Sequence, residues 1–92
     1  MQLIDTHTHL DFEMFDDDRT QVIARSAAAG VERIVVLGVH EANLERVWQL
    51  ACEQPAVHAA LGLHPVFIAE HRYEHLGKLR DWLEQLRGEP KL

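Results

Sequence analysis

The feature that most constrains the fold is a strict alternation of strand-like and helix-like segments along the chain. The clearest strand is the β-branched run Ile34–Val39, whose composition is typical of a strand buried on both faces. Weaker strand patterns cover residues 3–6 and 57–63. Helical spacing of apolar residues predicts helices over about 19–29, 41–53 and 72–86.

This order, βαβαβα, predicts an α/β fold in which the strands are parallel and the crossovers right-handed. Three parallel strands are too few for a closed eight-stranded barrel and few for a stable open sheet. The chain ends shortly after the helix-stop residues Gly88 and Pro90, where a βα protein would begin its next strand. We therefore expect one domain over residues 1–92, either a small open sheet or the first part of a larger fold.

Composition and charge narrow the class of protein. Hydrophobic residues make up 47% and charged residues 26%, as in ordinary globular domains. No apolar run approaches the roughly 18 residues that cross a bilayer, and no basic segment of a secretory signal precedes the first strand. The single cysteine, Cys52, cannot form an internal disulfide. We therefore expect a cytoplasmic protein without membrane contact.

The formal net charge of −6 argues against a protein that holds nucleic-acid phosphates on a basic surface. It does not exclude a nuclease, because bound divalent cations can supply the positive charge that the side chains lack.

A pair of histidines, His7 and His9, follows the first predicted strand. In an extended backbone residues i and i+2 point to the same face, so both imidazoles can reach one cation. The carboxyl ends of parallel strands are where α/β folds place their sites. The alternative is that two polar residues merely open a loop.

A second histidine segment, Gly62-Leu63-His64-Pro65, ends the third predicted strand. We expect Gly62 to leave space beside the His64 imidazole and Pro65 to turn the chain out of the strand. An incidental histidine in a turn is the alternative, but two strands that deliver histidines to one end of a sheet favour a site.

Two acidic residues lie near the first pair. Asp11 could orient a ligand histidine through its free ring nitrogen, as carboxylates do around metals, or could simply precede a helix. Asp5 is a second candidate for such a supporting role. Other histidines are predicted to be surface residues or, for His40, the start of a helix: His40, His58, His71 and His75.

The segment Ile4-Asp5-Thr6-His7-Thr8-His9-Leu10-Asp11 resembles the opening of the TatD-type deoxyribonucleases, metal-dependent hydrolases with a TIM (β/α)8 barrel. Ala29-Gly30-Val31 and Ala60-Leu61-Gly62-Leu63-His64-Pro65 are similar to the same family in order and spacing. The resemblance covers essentially all 92 residues. It implies that the chain is the N-terminal (βα)3 part of such a barrel, a partial hydrolase domain.

The resemblance implies hydrolysis of phosphodiesters in DNA, or of another phosphoester, by metal-activated water. His7 and His9 match the family's first metal-ligand pair, and His64 matches a histidine that lines the substrate pocket. The cofactors would be divalent cations, with Mg, Mn and Zn all left open.

The family's later ligands, a glutamate on the fourth strand and further histidine and aspartate residues, have no counterpart here. Gly88-Glu89-Pro90 does not match that glutamate, because the segment lies before the expected fourth strand and not at the end of a strand. We therefore expect the 92-residue chain to lack nuclease activity, and metal-dependent DNA cleavage by it would contradict this expectation. Two alternatives stay open: a non-catalytic fragment that self-associates through open sheet edges, and a small metal-binding module built from His7, His9 and His64.

Overall fold

A computed structural model describes all 92 residues, and its centre is a three-stranded parallel sheet in the order β1-β2-β3. The strands are β1 (Leu3–Thr8), β2 (Val31–Leu37) and β3 (Val57–Ala60). The α-helices are α1 (Arg19–Ala28), α2 (Leu44–Glu53) and α3 (Tyr73–Gln85). Three short 3-10 helices lie at Glu13–Phe15, Glu41–Asn43 and Pro65–Glu70. The predicted order of parallel strands and helices is confirmed.

The core lies on one face of the sheet. Ile34 and Val36 of β2 are buried there, and they pack in one cluster with residues of α1, α2 and β3. The other face of β2 carries Val35 and Leu37, which are only half-buried. The prediction of a strand buried on both faces is therefore only partly correct. Helices on one face of a sheet whose strands follow chain order are typical of a barrel segment, whereas doubly wound sheets carry helices on both faces.

The strand boundaries differ from those predicted. β1 runs to Thr8, so that His7 lies within the strand and His9 directly after it. β2 begins at Val31, and β3 ends at Ala60. Beyond β3 the backbone amide of His64 still donates to the Val39 carbonyl at 2.7 Å. The segments that follow β2 and β3 therefore stay side by side past the regular strand pairing.

Helix α3 is the least buried element. Two of its periodic leucines, Leu76 and Leu83, are 56% and 40% exposed. Only Leu86, just after the helix, is buried. The helix packs mainly against the 3-10 turn before α2, and Leu79 and Trp82 on it are half-buried. No helix is both long and apolar enough to span a bilayer.

The C-terminal residues return to the outer edge of β3. The Lys91 carbonyl accepts a hydrogen bond from the Ala59 amide at 2.7 Å. The Lys91 ammonium donates to the carbonyls of Gln54 and Pro55. Burial lowers the pKa of Lys91, with the nearby Cys52 opposing the shift. Residue 91 thus lies where a fourth strand of such a sheet would begin.

Two glycines at the ends of β2 and β3 have different packing. A Cβ on Gly38 would lie 2.6 Å from Leu44 Cδ2 and 3.2 Å from the Gly62 nitrogen. A Cβ on Gly62 would meet no atom within 4 Å. The expectation that Gly62 makes room for His64 is therefore wrong. The glycine that permits close approach of the two strand ends is Gly38.

We therefore expect Gly38→Ala to destabilise the fold by about 1–3 kcal/mol, because Leu44 is fully buried and cannot move aside freely. Gly62→Ala is the matched control and should change the free energy of unfolding by less than about 0.5 kcal/mol. Urea unfolding followed by circular dichroism measures both. Equal effects of the two substitutions would contradict this assignment of the packing.

Candidate functional site

Three histidines meet at the carboxyl edge of the sheet. His7 lies in β1, His9 is the first residue after β1, and His64 lies in the segment beyond β3. One ring nitrogen from each lies within 4.8 Å of those of the other two. The structure thus brings together all three histidines singled out in the sequence, and we refer to them as the histidine triad.

The triad is open to solvent on one side. The His7 ring is exposed, whereas those of His9 and His64 are half-buried. The ring centroids of His7 and His9 are 5.3 Å apart, and those of His9 and His64 are 5.9 Å apart. The rings meet edge to face. A cation or an anion can therefore reach the triad from solution.

An irregularity in β1 lies at the triad. Asp5 pairs with Ile34 and Thr8 pairs with Val36, so three steps along β1 match two steps along β2. Such bulges re-aim side chains and occur often beside active sites. The regular alternation used to place His7 and His9 on one face therefore does not hold through this stretch, although their rings still converge.

The hydrogen bonding of His64 determines whether its free ring nitrogen can bind a cation or an anion. Its Nδ1 accepts a hydrogen bond from the Val66 amide at 3.1 Å. An amide N–H only donates, so Nδ1 provides the lone pair and the proton of the neutral ring is on Nε2. In this tautomer the free nitrogen of His64 is a hydrogen-bond donor. A donor suits an anionic oxygen and not a cation.

A second histidine, His71, supports the loop that carries His64. Its Nε2 lies 2.7 Å from the His64 carbonyl, which can only accept, so this ring nitrogen is protonated. His71 is half-buried and closes the Pro65–Glu70 turn onto His64, the residue that precedes it. The prediction that His71 is a surface histidine is only partly correct, as it is for His58 and His75, which are also half-buried. No periodicity in the sequence signals a bond from its ring to a backbone carbonyl.

The two acidic candidates bind other groups than the histidine rings. Asp5 Oδ1 accepts from the backbone amide of His7 at 3.2 Å. Asp11 is 8% exposed, and its Oδ2 accepts from Asn43 Nδ2 at 2.6 Å. The Oδ1 of Asp11 and the Nδ1 of His9 are buried without a hydrogen-bond partner in the protein. The supporting role of Asp5 and Asp11 toward metal ligands stays a prediction.

Asn43 joins the loops that follow β1 and β2. Its Oδ1 accepts from the amides of Val39 and His40 at 3.0 and 3.2 Å, while its Nδ2 donates to Asp11. These bonds hold the end of β2 against the end of β1. His40 begins the short helix at Glu41–Asn43, as predicted.

The buried Arg19 holds the loop after β1 in place. Its guanidinium donates to the backbone carbonyls of Leu10, Asp11 and Phe12, and it pairs with Asp16 Oδ1 at 2.7 Å. Arg19 is 9% exposed although it is the first residue of a helix. Neither Arg19 nor Asn43 stands out in the sequence, because bonds from side chains to backbone groups leave no pattern along the chain.

Residues 4–92 match the family model described as TatD related DNase. The chain is 37% identical over 90 residues to the uncharacterized metal-dependent hydrolase YabD of Bacillus subtilis. It is 39% identical over 84 residues to the uncharacterized metal-dependent hydrolase YjjV of Escherichia coli K12.

A crystal structure of the TatD homologue YjjV from Escherichia coli K12 superposes with a TM-score of 0.86 and 40% identity. The match covers 90% of this chain and 32% of that one. It confirms the predicted fold class, an N-terminal (βα)3 part of a TIM barrel. The alignments with YabD and YjjV cover 98% and 91% of this chain but 34% and 32% of those relatives, so the chain spans about a third of their length.

We expect Arg19→Met to destabilise the chain by about 2–3 kcal/mol, because it leaves buried carbonyls without a donor. Arg25→Met is the matched control on the same helix: the Arg25 side chain is 68% exposed and its ion pair with Asp18 is long, at 4.0 Å. The control should change stability by less than about 0.5 kcal/mol. Urea unfolding of both variants tests this, and a small effect of Arg19→Met would show that the loop does not depend on it.

Proposed function

The chain belongs to the TatD related DNase family, and from that premise we propose that its histidine triad is part of a metal-dependent site that hydrolyses phosphodiesters in DNA. The observation that carries the proposal is the convergence of His7, His9 and His64 from two strand ends within 4.8 Å. Because the chain spans about a third of its relatives, the proposal concerns the part of the site that these residues form.

The residues present fit a divalent cation. Imidazole nitrogen is a common ligand of Zn and related metals, and His7 and His9 offer two such nitrogens at an accessible edge. A cation held by His7 and His9 would activate water for attack and stabilise the charge that develops on phosphate. Mg, Mn and Zn remain the candidate cations. The acidic surroundings also favour a cation: the chain carries a net charge of −6, and Asp5 lies against the His7 backbone.

We assign His64 to the substrate. Its Nε2 carries the ring proton, because Nδ1 is committed to the Val66 amide. A phosphate oxygen that approaches the triad can accept a hydrogen bond from this donor. The bond from His71 to the His64 carbonyl keeps the donor in place. The same chemistry argues against the alternative in which three histidines bind one metal ion together.

Calorimetric titration with Zn²⁺ tests this division of roles. We expect His7→Ala or His9→Ala to lower metal affinity by more than about tenfold, since each removes a ligand. His64→Ala should leave the affinity within about twofold, because its free nitrogen is protonated. His75→Ala, a histidine on α3 outside the triad, is the matched control.

The substrate role has its own readout in the same experiment. Inorganic phosphate should bind the Zn²⁺-loaded chain more weakly after His64→Ala than after His75→Ala. An equal loss of metal affinity in His64→Ala and His7→Ala would instead support a three-histidine metal module. Two expectations stay predictions: that the 92-residue chain does not cleave DNA, and that the protein is cytoplasmic.

We also propose that the isolated chain self-associates. β1 is an edge strand, and its Ile4 is 58% exposed. Unpaired strand edges with apolar side chains promote pairing between chains. Light scattering after size exclusion should therefore show species larger than a monomer. Ile4→Lys should shift the distribution to monomer, whereas Met14→Lys, which introduces the same charge at an exposed apolar residue outside the sheet, should not. A monomeric parent chain at high concentration would contradict the proposal.

A further inference from the structure

An open cleft of about 500 Å³ lies beside the histidine triad and is lined by none of its members. Its walls come from the loop after β1, from the start of α2 and from the turn after His64. Two phenyl rings in these walls also contact the triad. Phe12 stacks on His9, with centroids 5.0 Å apart and planes at 25°, and Phe67 lies edge-on to His64 at 6.4 Å. The cleft and the triad therefore share two walls.

The lining of the cleft is rich in flat rings. Phe12 and Phe67 are joined there by the imidazole of His40, whose centroid is 5.6 Å from that of Phe67 at an angle of 83°. All three rings are half-buried, so each is held by the protein and keeps part of its surface toward the cleft. Aromatic side chains arranged in this way are the surfaces on which nucleobases stack in proteins that bind single-stranded nucleic acid.

The cleft is preformed. Asn43, on its wall, bonds to the Val39 and His40 amides on one side and to Asp11 on the other. Arg19 fixes the backbone at Phe12 through a 2.9 Å hydrogen bond to its carbonyl. A ligand therefore need not order these loops when it binds, which removes part of the entropic cost of binding.

We propose that this cleft binds the nucleobase of a nucleotide next to the phosphate held at the triad. The proposal rests on the proposed function, since it takes the phosphodiester to lie at His7, His9 and His64. A base is linked to that phosphate through its sugar, and the shared phenyl walls place the cleft directly beside the triad. The polar atoms of Asn43 are mostly committed to the protein. The unpartnered Oδ1 of Asp11 also lines the cleft, as do Glu13 and Arg46. We therefore expect stacking on the rings to be the main contact, with polar groups available to the edge of the base.

The test uses nucleosides, which carry the ring and the sugar without the phosphate. ¹H–¹⁵N correlation spectra of the 92-residue chain, recorded without added metal, are followed during titration with deoxyadenosine, thymidine or 2-deoxyribose. We expect both nucleosides to shift amides around Asn43 and Phe67, and the free sugar to shift neither. Phe67→Leu should weaken nucleoside binding by about fivefold or more, because the stacking ring is lost.

Tyr73→Leu is the matched control, since Tyr73 is an aromatic residue that is 92% exposed and lies outside the cleft. It should leave nucleoside affinity unchanged. Equal weakening by Tyr73→Leu and Phe67→Leu, or shifts with 2-deoxyribose alone, would overturn the proposal. The spectrum of each variant also reports its folding, and Phe12→Leu removes the other phenyl wall should Phe67→Leu not fold.

The outcome is separable from that of the proposed function. Nucleoside binding at the cleft without Zn²⁺ binding at His7 and His9 would contradict only the metal site. Metal binding that depends on both histidines, without amide shifts on addition of nucleosides, would contradict only the proposal that the cleft binds a base.

Discussion

The position of β2 between two parallel neighbours is the constraint on which the rest of the structure depends. Because all three strands run the same way, their carboxyl ends lie at one edge, and every segment that leaves a strand begins there. Ile34 and Val36 anchor α1 and α2 to a single face through one apolar cluster. The opposite face and the outer edge of β1 stay open, so one sheet provides both a site and unpaired surfaces.

The site is held mainly by polar side chains that bond to backbone groups. Arg19 binds three successive carbonyls after β1, Asn43 binds two amides after β2, and His71 binds the carbonyl of His64 after β3. Asn43 then links two of these loops through Asp11. Each loop thus has one side chain that satisfies buried backbone groups, which favours a single loop conformation. That order is a condition for bringing histidines from different strands within reach of one ligand.

Within the triad, chemically identical side chains have different environments. His64 has one nitrogen committed to a backbone donor, so its remaining nitrogen donates. His7 and His9 have no such bond from a backbone amide to the ring and keep a lone pair for a cation. The proposed roles, metal ligand and substrate donor, follow from this difference in hydrogen bonding. The cleft lined by Phe12 and Phe67 lies at the same edge of the sheet, because these two rings contact His9 and His64 respectively.

The sequence by itself determined the alternation of elements, the parallel sheet and the residues of the triad, because strand and helix periodicity and the position of His7, His9 and His64 after strands are local properties. It also carried the family resemblance that the comparisons bear out. Contacts in the folded chain were needed to show that Gly38 and not Gly62 is crowded, that Leu76 and Leu83 of α3 are exposed, and which nitrogen of His64 is free. These depend on contacts between segments far apart in the chain, which periodicity along one segment does not encode.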